Sequence, residues 1–271
     1  MNTLINKRLT IIGVGNIGRI LLERLLAVGV PAEHLAVCDN DPARGEAAAR
    51  FGVRAVSLTD EAACSADTLL IATPPKVVPE VLQTLDGRLH PGQVVVSFAA
   101  AVPLARLEAL VPSGVSVVRV MPSAPSLVGQ GMNPVAYGAS VTPEARALVE
   151  ALLATLGGTT VVRDEQMNWC VGLAGAAMRS VLPVLEGVAQ AGVEAGLSAA
   201  EARRVAAQIM LGTAALALQT ELSFDELKAL TPMQTIDEML VSRLFLDAAR
   251  GAKEKIEGLE GKLWRAENPE T

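Results

Sequence analysis

The residues best suited to chemistry stand near the start of the chain. Gly13-Val14-Gly15-Asn16-Ile17-Gly18 follows a short apolar run, Leu9 to Ile12, and opens an amphipathic helical pattern from Ile17 to Val28. Gly-x-Gly-x-x-Gly between a strand and a helix is the dinucleotide fingerprint. Its first glycine permits a tight turn, the second lets backbone approach a pyrophosphate, and the third lets helix and strand pack closely. The helix N-terminus adds unpaired N–H groups and a positive dipole end for the phosphates. A second apolar run, Leu35 to Cys38, ends at Asp39, about 20 residues past the fingerprint, where a carboxylate accepts hydrogen bonds from an adenosine ribose. That charge repels a 2′-phosphate, so NAD is expected over NADP, with Arg44 the nearest cation that would argue the other way. Ala72-Thr73-Pro74-Pro75-Lys76 closes a further apolar run. It is expected to border the cofactor, because ligands of open α/β sheets lie outside the strand carboxyl ends. Lys76 reads as well as a solvated residue of a first helical turn. The cofactor-binding candidates are Gly13, Val14, Gly15, Asn16, Ile17, Gly18, Asp39, Ala72, Thr73 and Pro74.

Other chemistries are excluded by what the chain lacks. Cys38, Cys64 and Cys170 show no CxxC spacing, and with only two histidines, His34 and His90, no familiar metal pattern forms. The cysteines read as small buried hydrophobes suited to a reducing cytoplasm. A net charge of −6 and seven aromatics among 271 residues give neither the basic face nor the stacking platform of a nucleic-acid binder. The start of the chain reads as a first strand and not a signal peptide, and the most apolar later stretch, Val205 to Leu218, falls short of a membrane span. A soluble protein is expected.

These candidates must be positioned by regular elements. Strands are predicted at Leu9–Ile12, Leu35–Cys38, Val53–Val56, Thr68–Ala72, Val94–Ser97 and Val115–Val120, with helices at Ile17–Val28, Pro42–Phe51, Val77–Leu85 and Leu104–Leu110 between them. Alternation of this kind implies βαβ units, a parallel sheet and right-handed crossovers. Beyond Met121 a Pro/Ser/Gly-rich stretch to Gly131 reads as a shaped loop. Pro143–Leu156 follows as a helix and Thr159–Arg163 as a last strand. From there the pattern is helical: one long helix from about Glu165 to Ala195 stopped by Gly196, a second capped by Ser198 and running to about Gln219, and a third beyond Thr231-Pro232 to about Gly258. The expected fold is α/β: an N-terminal Rossmann-type doubly wound sheet over residues 1–163, then an all-α dimerisation and substrate domain over residues 164–271. Apolar positions spread around several faces of these helices, so a second subunit is expected to cover them in an obligate homodimer.

The fingerprint, Arg119-Val120-Met121-Pro122 and the run that follows resemble the pyrroline-5-carboxylate reductase family over nearly the whole chain. Many dehydrogenases share the fingerprint. Val-Met-Pro…Pro-x-Leu-Val-Gly-x-Gly-Met, at Val120 to Met132, is far more specific, and Asp164-Glu165, Glu186, Ala189 to Val193 and Gly196-Leu197 continue the match. The resemblance implies an NAD(P)-binding domain, a helical dimerisation domain whose dimers can assemble further, and hydride delivery to a cyclic imine carboxylate. It also implies that Met121, Gly175, Ala176 and Arg179 lie near substrate, with Ser123 and Thr235 as catalytic hydroxyls.

Departures from the family fall where substrate is expected. Ser-Gly-Ser-Gly-Pro-Ala-Tyr of the family is here Ala174-Gly175-Ala176-Ala177-Met178-Arg179-Ser180, which removes both hydroxyls. Ser-Pro-Gly-Gly-Thr-Thr becomes Thr231-Pro232-Met233-Gln234-Thr235-Ile236, keeping Thr235 for the imine nitrogen, and the usual Asn after Met-Pro is Ser123. Each hydrogen bond lost from a charged group costs about 1.5–3 kcal/mol. Arg179 reads either as a bidentate replacement partner for a carboxylate or as an interface arginine in a salt bridge. Reduction of a protonated imine needs positioning and no protein acid. A carbonyl substrate would need a donor, for which Tyr137, Ser123 and Thr235 are the candidates. Three functions follow: reduction of pyrroline-5-carboxylate to proline, reduction of a different imine or carbonyl, or dinucleotide binding without catalysis.

Overall fold

The structure is a computed structural model and describes residues 4–265. Strand β1 (Leu9–Ile12) leads through the glycine turn into α1 (Asn16–Ala27). β2 (Leu35–Cys38), α2 (Pro42–Ala49), β3 (Arg54–Ala55), α3 (Glu61–Cys64), β4 (Thr68–Ile71), α4 (Val78–Thr84), β5 (Val94–Ser97), α5 (Leu104–Glu108) and β6 (Ser116–Val120) complete the alternating half. Helix starts obey local chemistry: the Asp41 side chain accepts the Ala43 N–H ahead of Pro42, and Asp60 accepts the Ala62 N–H. Strands β1, β2, β4, β5 and β6 are buried at every residue, as expected of a parallel sheet covered on both faces.

The sheet order is β3-β2-β1-β4-β5-β6, ending at β8 (Val135–Tyr137), after which α6 (Pro143–Ala154) forms as the helix expected over Pro143–Leu156. β1 pairs in parallel with β2 on one side (Leu9 with Leu35) and with β4 on the other (Leu9 with Thr68), so the strand order reverses between β1 and β4. Period-two alternation splits the core. Leu9 and Ile11 pack with Leu21, Leu22 and Leu25 of α1 on one face. Ile12, Leu69, Ile71 and Val95 pack with Val81, Leu82 and Leu107 on the other.

Three predicted elements came out differently. The strand expected at Thr159–Arg163 is a two-residue strand, β9 (Gly157–Gly158), parallel to β7 (Gly131–Met132), followed by a single bridge from Val161 to Val135. β8, antiparallel to β6, offers the segment its outer edge: the Val135 N–H donates to the Thr160 carbonyl and the Val162 N–H to the Val135 carbonyl, both at 2.9 Å. The helix expected over Glu165–Ala195 forms as one helical run, Asp164–Glu194, whose pitch changes along it: a 3₁₀ turn (Asp164–Gln166), α7 (Met167–Cys170), a π turn (Val171–Gly175) and α8 (Ala177–Glu194). The third C-terminal helix starts later than Pro232: α9 (Ala199–Gln219) and a short α10 (Phe224–Ala229) precede α11 (Glu238–Arg265). The stop at Gly196 (φ +93°) and the Ser198 cap, whose hydroxyl accepts the Glu201 N–H, are as expected.

Packing divides the chain into two compact units. One holds the residues up to Ala176 together with those from Ala249 on, and the other holds Ala177–Ala248. The division at residue 163 read from the sequence therefore does not coincide with the packing units. Within the first unit, the second half of α11 lies against the π turn so closely that a Cβ on Gly172 would stand 2.6 Å from the Ala249 carbonyl oxygen. Gly172 is thus a contact glycine. Arg119 of β6, 1% exposed, pairs with Asp164 at 2.8 Å, and Asp164 also accepts the Leu104 N–H that opens α5. Asn168 lies 3.4 Å from Arg119 and donates to Glu260 of α11 at 2.8 Å.

In the second unit α8 and α9 pack together through Gly192 and Ala202, and only Ala202 and Ala206 are buried. Leu182, Val188, Leu211, Leu218 and Leu244 are exposed. Val205–Leu218 reads as too short for a membrane span; within the 31-residue helical run Asp164–Glu194, however, an 18-residue window reaches a mean hydropathy of 1.3, long and apolar enough by length and composition alone.

Removing one partner from a buried ion pair is far more damaging than removing an exposed one. Asp164→Ala is expected to lower the unfolding free energy by about 3 kcal/mol, read from urea transitions. Glu150→Ala, which breaks an exposed i,i+4 pair with Arg146, should change it by under about 0.5 kcal/mol.

Candidate functional site

The site is built at the carboxyl edge where β1 and β4 diverge. Gly13 turns out of β1 with φ +91°, its N–H donating to the Cys38 carbonyl at 2.7 Å. A Cβ there would stand 2.9 Å from the Ala72 carbonyl oxygen and 3.0 Å from Thr73 Cγ2, and one on Gly18 would collide with the Gly13 carbonyl. These two glycines let α1 descend directly onto β1 and β4. Gly15 differs: a Cβ on it would meet nothing nearer than Arg44 Nη1, at 3.9 Å. Its open face is the cradle a pyrophosphate needs. Gly15 caps α1 with no side-chain hydrogen bond, and the first turn carries no acid, so Asn16, Ile17 and Gly18 present the positive end of a 12-residue helix.

Asp39 is held before any ligand arrives. Its side chain is 3% exposed; one carboxylate oxygen accepts the Val14 N–H at 2.6 Å and the other the Asp41 N–H at 2.9 Å. Arg44, over the glycine loop, lies 3.9 Å from Asp39 and 3.5 Å from Asp41. The β2 acid thus grips the loop that binds phosphate, and its neighbouring guanidinium faces two carboxylates. On the β4 side, Ala72 N–H donates to the Ile12 carbonyl, and Pro74 precedes a 3₁₀ turn (Pro75–Val77). Thr73 Oγ1 is buried without a hydrogen-bond partner. A buried hydroxyl with no partner is costly, and this one belongs to the residue packed against Gly13. The open Gly15 face and the orphaned Thr73 hydroxyl both fit a dinucleotide phosphate.

Met121, Pro122 and Ser123 continue from β6 along the same edge. A Cβ on Gly175 would lie 3.3 Å from Met121 Sδ and 3.7 Å from the Pro122 carbonyl oxygen, so the π turn brings Gly175 to Met121. Single π turns are common at functional sites. The Ala176 N–H closes that turn by donating to Val171 at 2.7 Å, leaving Ala176 its carbonyl and methyl for a ligand. Ser123 is 4% exposed, and its hydroxyl accepts the Met132 N–H at 3.0 Å. Asn133, from Ser123 N–H and the Ser126 hydroxyl, ties the same loop together. Arg179 and Thr235 are exposed residues of the second unit, separate from the unit that carries the other candidates.

Two other donors are disposed of by geometry. Tyr137 pairs in register with Val118, inside the sheet and not at its carboxyl end, with Arg146 4.4 Å over its ring; burial pushes its phenol up. All three cysteines are buried and unpaired, and burial pushes the Cys38 thiol up to about 12. What sequence reading missed is the Arg119–Asp164–Asn168–Glu260 chain beneath the π turn; the signal was an arginine inside the otherwise apolar run Val117-Val118-Arg119-Val120.

Comparison with known proteins follows the same residues. Residues 8–101 match the family described as NADP oxidoreductase, coenzyme F420-dependent, and residues 164–232 match pyrroline-5-carboxylate reductase dimerisation. A pyrroline-5-carboxylate reductase of Corynebacterium melassecola is 30% identical over 93% of this chain and 98% of its own length. The chain belongs to the pyrroline-5-carboxylate reductase family. The reductase of Escherichia coli is 32% identical over 79% of this chain and 80% of its own. Among solved structures, the Plasmodium falciparum pyrroline carboxylate reductase with NADP bound superposes with TM-score 0.82 at 20% identity, covering 95% of this chain and 99% of that one. The Coxiella burnetii reductase superposes with TM-score 0.79 at 23% identity, covering 93% and 98%. At those identities the superpositions establish the fold, and the family's architecture is the one described above.

The glycines separate folding from binding. Gly18→Ala is expected to cost stability, about 1–3 kcal/mol by overpacking, because no space exists for the methyl. Gly15→Ala should leave the thermal midpoint unchanged and weaken NADH binding at least tenfold, measured by fluorescence titration.

Proposed function

We propose that the protein reduces 1-pyrroline-5-carboxylate to proline with NADH, acting as a homodimer. The observation that carries this reading is the meeting of Met121 with Gly175 on the sheet edge that also holds the glycine turn. It joins the family's most specific motif to the cofactor crevice.

The bound dinucleotide supplies a hydride. Gly13 to Gly18 and the start of α1 hold its pyrophosphate, Thr73 donates its orphaned hydroxyl, and Asp39 faces the adenosine ribose. Met121 and Gly175 form the floor on which a flat five-membered ring rests. A ring imine protonated in solution accepts hydride at carbon and leaves as the amine, so no side chain has to deliver a proton. That agrees with Ser123, whose buried hydroxyl is engaged by Met132 N–H. Its role in this reading is to shape the loop. To Thr235 and Arg179, on the family resemblance, we assign the imine nitrogen and the substrate carboxylate. The exposed apolar residues of α8 and α9 are read as a face for a second copy and not for lipid, and larger assemblies of such dimers extend the same reading. The buried, unpaired cysteines suit a reducing cytoplasm.

NADH is favoured over NADPH because the Asp39 carboxylate is fixed by two backbone N–H groups, which keeps its charge at the ribose. Arg44, facing Asp39 and Asp41, is already balanced. A second reading, in which another imine or a carbonyl is reduced, draws on Ala174 and Ala176, which put methyl groups where the family has hydroxyls.

Initial rates of NADH and NADPH oxidation with pyrroline-5-carboxylate test both points. Turnover with NADH ahead of NADPH is expected. A flat line despite NADH binding would overturn the substrate, and faster NADPH turnover would overturn the cofactor preference. Asp39→Asn should raise the KM for NADH roughly 10-fold or more, as loss of one charged hydrogen bond requires, and narrow the gap to NADPH. Arg179→Ala should raise the KM for the imine acid with little change in that for NADH.

A further inference from the structure

Ala101 is the one described non-glycine residue with positive φ, at 57°. Left-handed backbone is strained for any residue with a Cβ, and such strain persists only where its surroundings impose it. Ala101 is fully buried, and its carbonyl accepts the indole N–H of Trp264, in the last turn of α11, at 3.0 Å. The indole is itself steadied by Arg106, 5.1 Å over the ring. The loop so held, Phe98 to Ala101, leaves β5 at the carboxyl edge. Phe98 N–H donates to the Ile71 carbonyl at 2.9 Å, which sets the loop beside Ala72 and Thr73. With the fingerprint on β1 and the ribose acid after β2, the adenosine half lies on the β2 side of the crevice, and the nicotinamide half runs across β4 toward β5.

We propose that Trp264 is a positioning residue for the dinucleotide: by gripping the Ala101 carbonyl it holds the loop after β5 in the strained shape that borders the nicotinamide side of the crevice. The proposal rests on the dinucleotide reading, and it gives the end of α11 a role in cofactor affinity.

Removing the grip should let the loop relax out of the strained conformation, whereas a residue without a Cβ would hold that conformation unaided. Trp264→Phe keeps the ring over Arg106 and removes the N–H. NADH affinity, titrated by nicotinamide fluorescence without imine, should fall roughly 5-fold, the scale of one net hydrogen bond. Adding Ala101→Gly, which makes positive φ free of strain, should restore affinity to within about 2-fold of the parent. An unchanged affinity in Trp264→Phe, or a loss that Ala101→Gly leaves in place, would overturn the proposal. If Trp264→Phe alone fails to fold, recovery of folding and affinity in the double variant supports it. Failure of the double variant to fold would make Trp264 purely structural and overturn it. Parent protein that binds no NADH would instead sink the dinucleotide reading and this inference with it, a result distinct from NADH binding without imine turnover, which touches only the substrate.

Discussion

No side chain fits at Gly13 or Gly18, where the first strand turns into the first helix, and the rest of the site is arranged around that contact. Because Gly18 sits on the Gly13 carbonyl and Gly13 sits against Ala72 and Thr73, α1 begins at the point where β1 and β4 part. Three consequences follow from one packing fact. The helix N-terminus points into the crevice, the Val14 N–H is turned to the Asp39 carboxylate, and the Thr73 hydroxyl is left buried without a partner. A constraint of this kind is steric, so it acts before any ligand is present and costs nothing to reorganise when one arrives.

A second, electrostatic constraint holds the other end of the edge. Arg119 is buried in the sheet, where an unpaired guanidinium would be very costly. Asp164 answers it and starts α5 at the same time. Asn168 and Glu260 carry the chain of polar contacts to α11. The π turn follows α7, which carries Asn168, and its Gly172 crosses close to Ala249. Met121 therefore meets Gly175 because a buried charge two residues earlier on β6 needed a partner and a glycine allowed a close crossing. The exposed pairs, such as Arg146–Glu150, have no comparable influence on geometry.

The chemistry that results is sparse in acids and bases. Tyr137 is placed inside the sheet, the thiols are buried, and the Ser123 hydroxyl is engaged within its own loop. A hydride acceptor that arrives already protonated suits such a site, and a ketone does not. The second unit adds few buried residues of its own, and its apolar surface is where a subunit partner is most needed.

Much of this was legible in residue order alone. β1, β2 and β5 have the bounds that their apolar runs indicate, because a strand buried on both faces must be apolar throughout. The fingerprint and Asp39 were legible for a related reason: their roles depend on backbone within a single βαβ unit. The Gly196 stop and the Ser198 cap are equally local. What the sequence could not announce depends on residues far apart along the chain. The helix expected over Glu165–Ala195 changes pitch at a π turn where Gly172 meets Ala249, and periodicity carries no record of a crossing helix. The strand expected at Thr159–Arg163 shrinks to a bridge along the outer edge of β8, because how far that pairing extends depends on a partner segment distant in the chain and not on propensity. Composition and spacing determined which dinucleotide-binding fold forms and where its phosphate turn lies. Only tertiary packing decided which side chains stand free at that turn, since whether a hydroxyl or a carboxylate is available depends on which distant backbone group reaches it first.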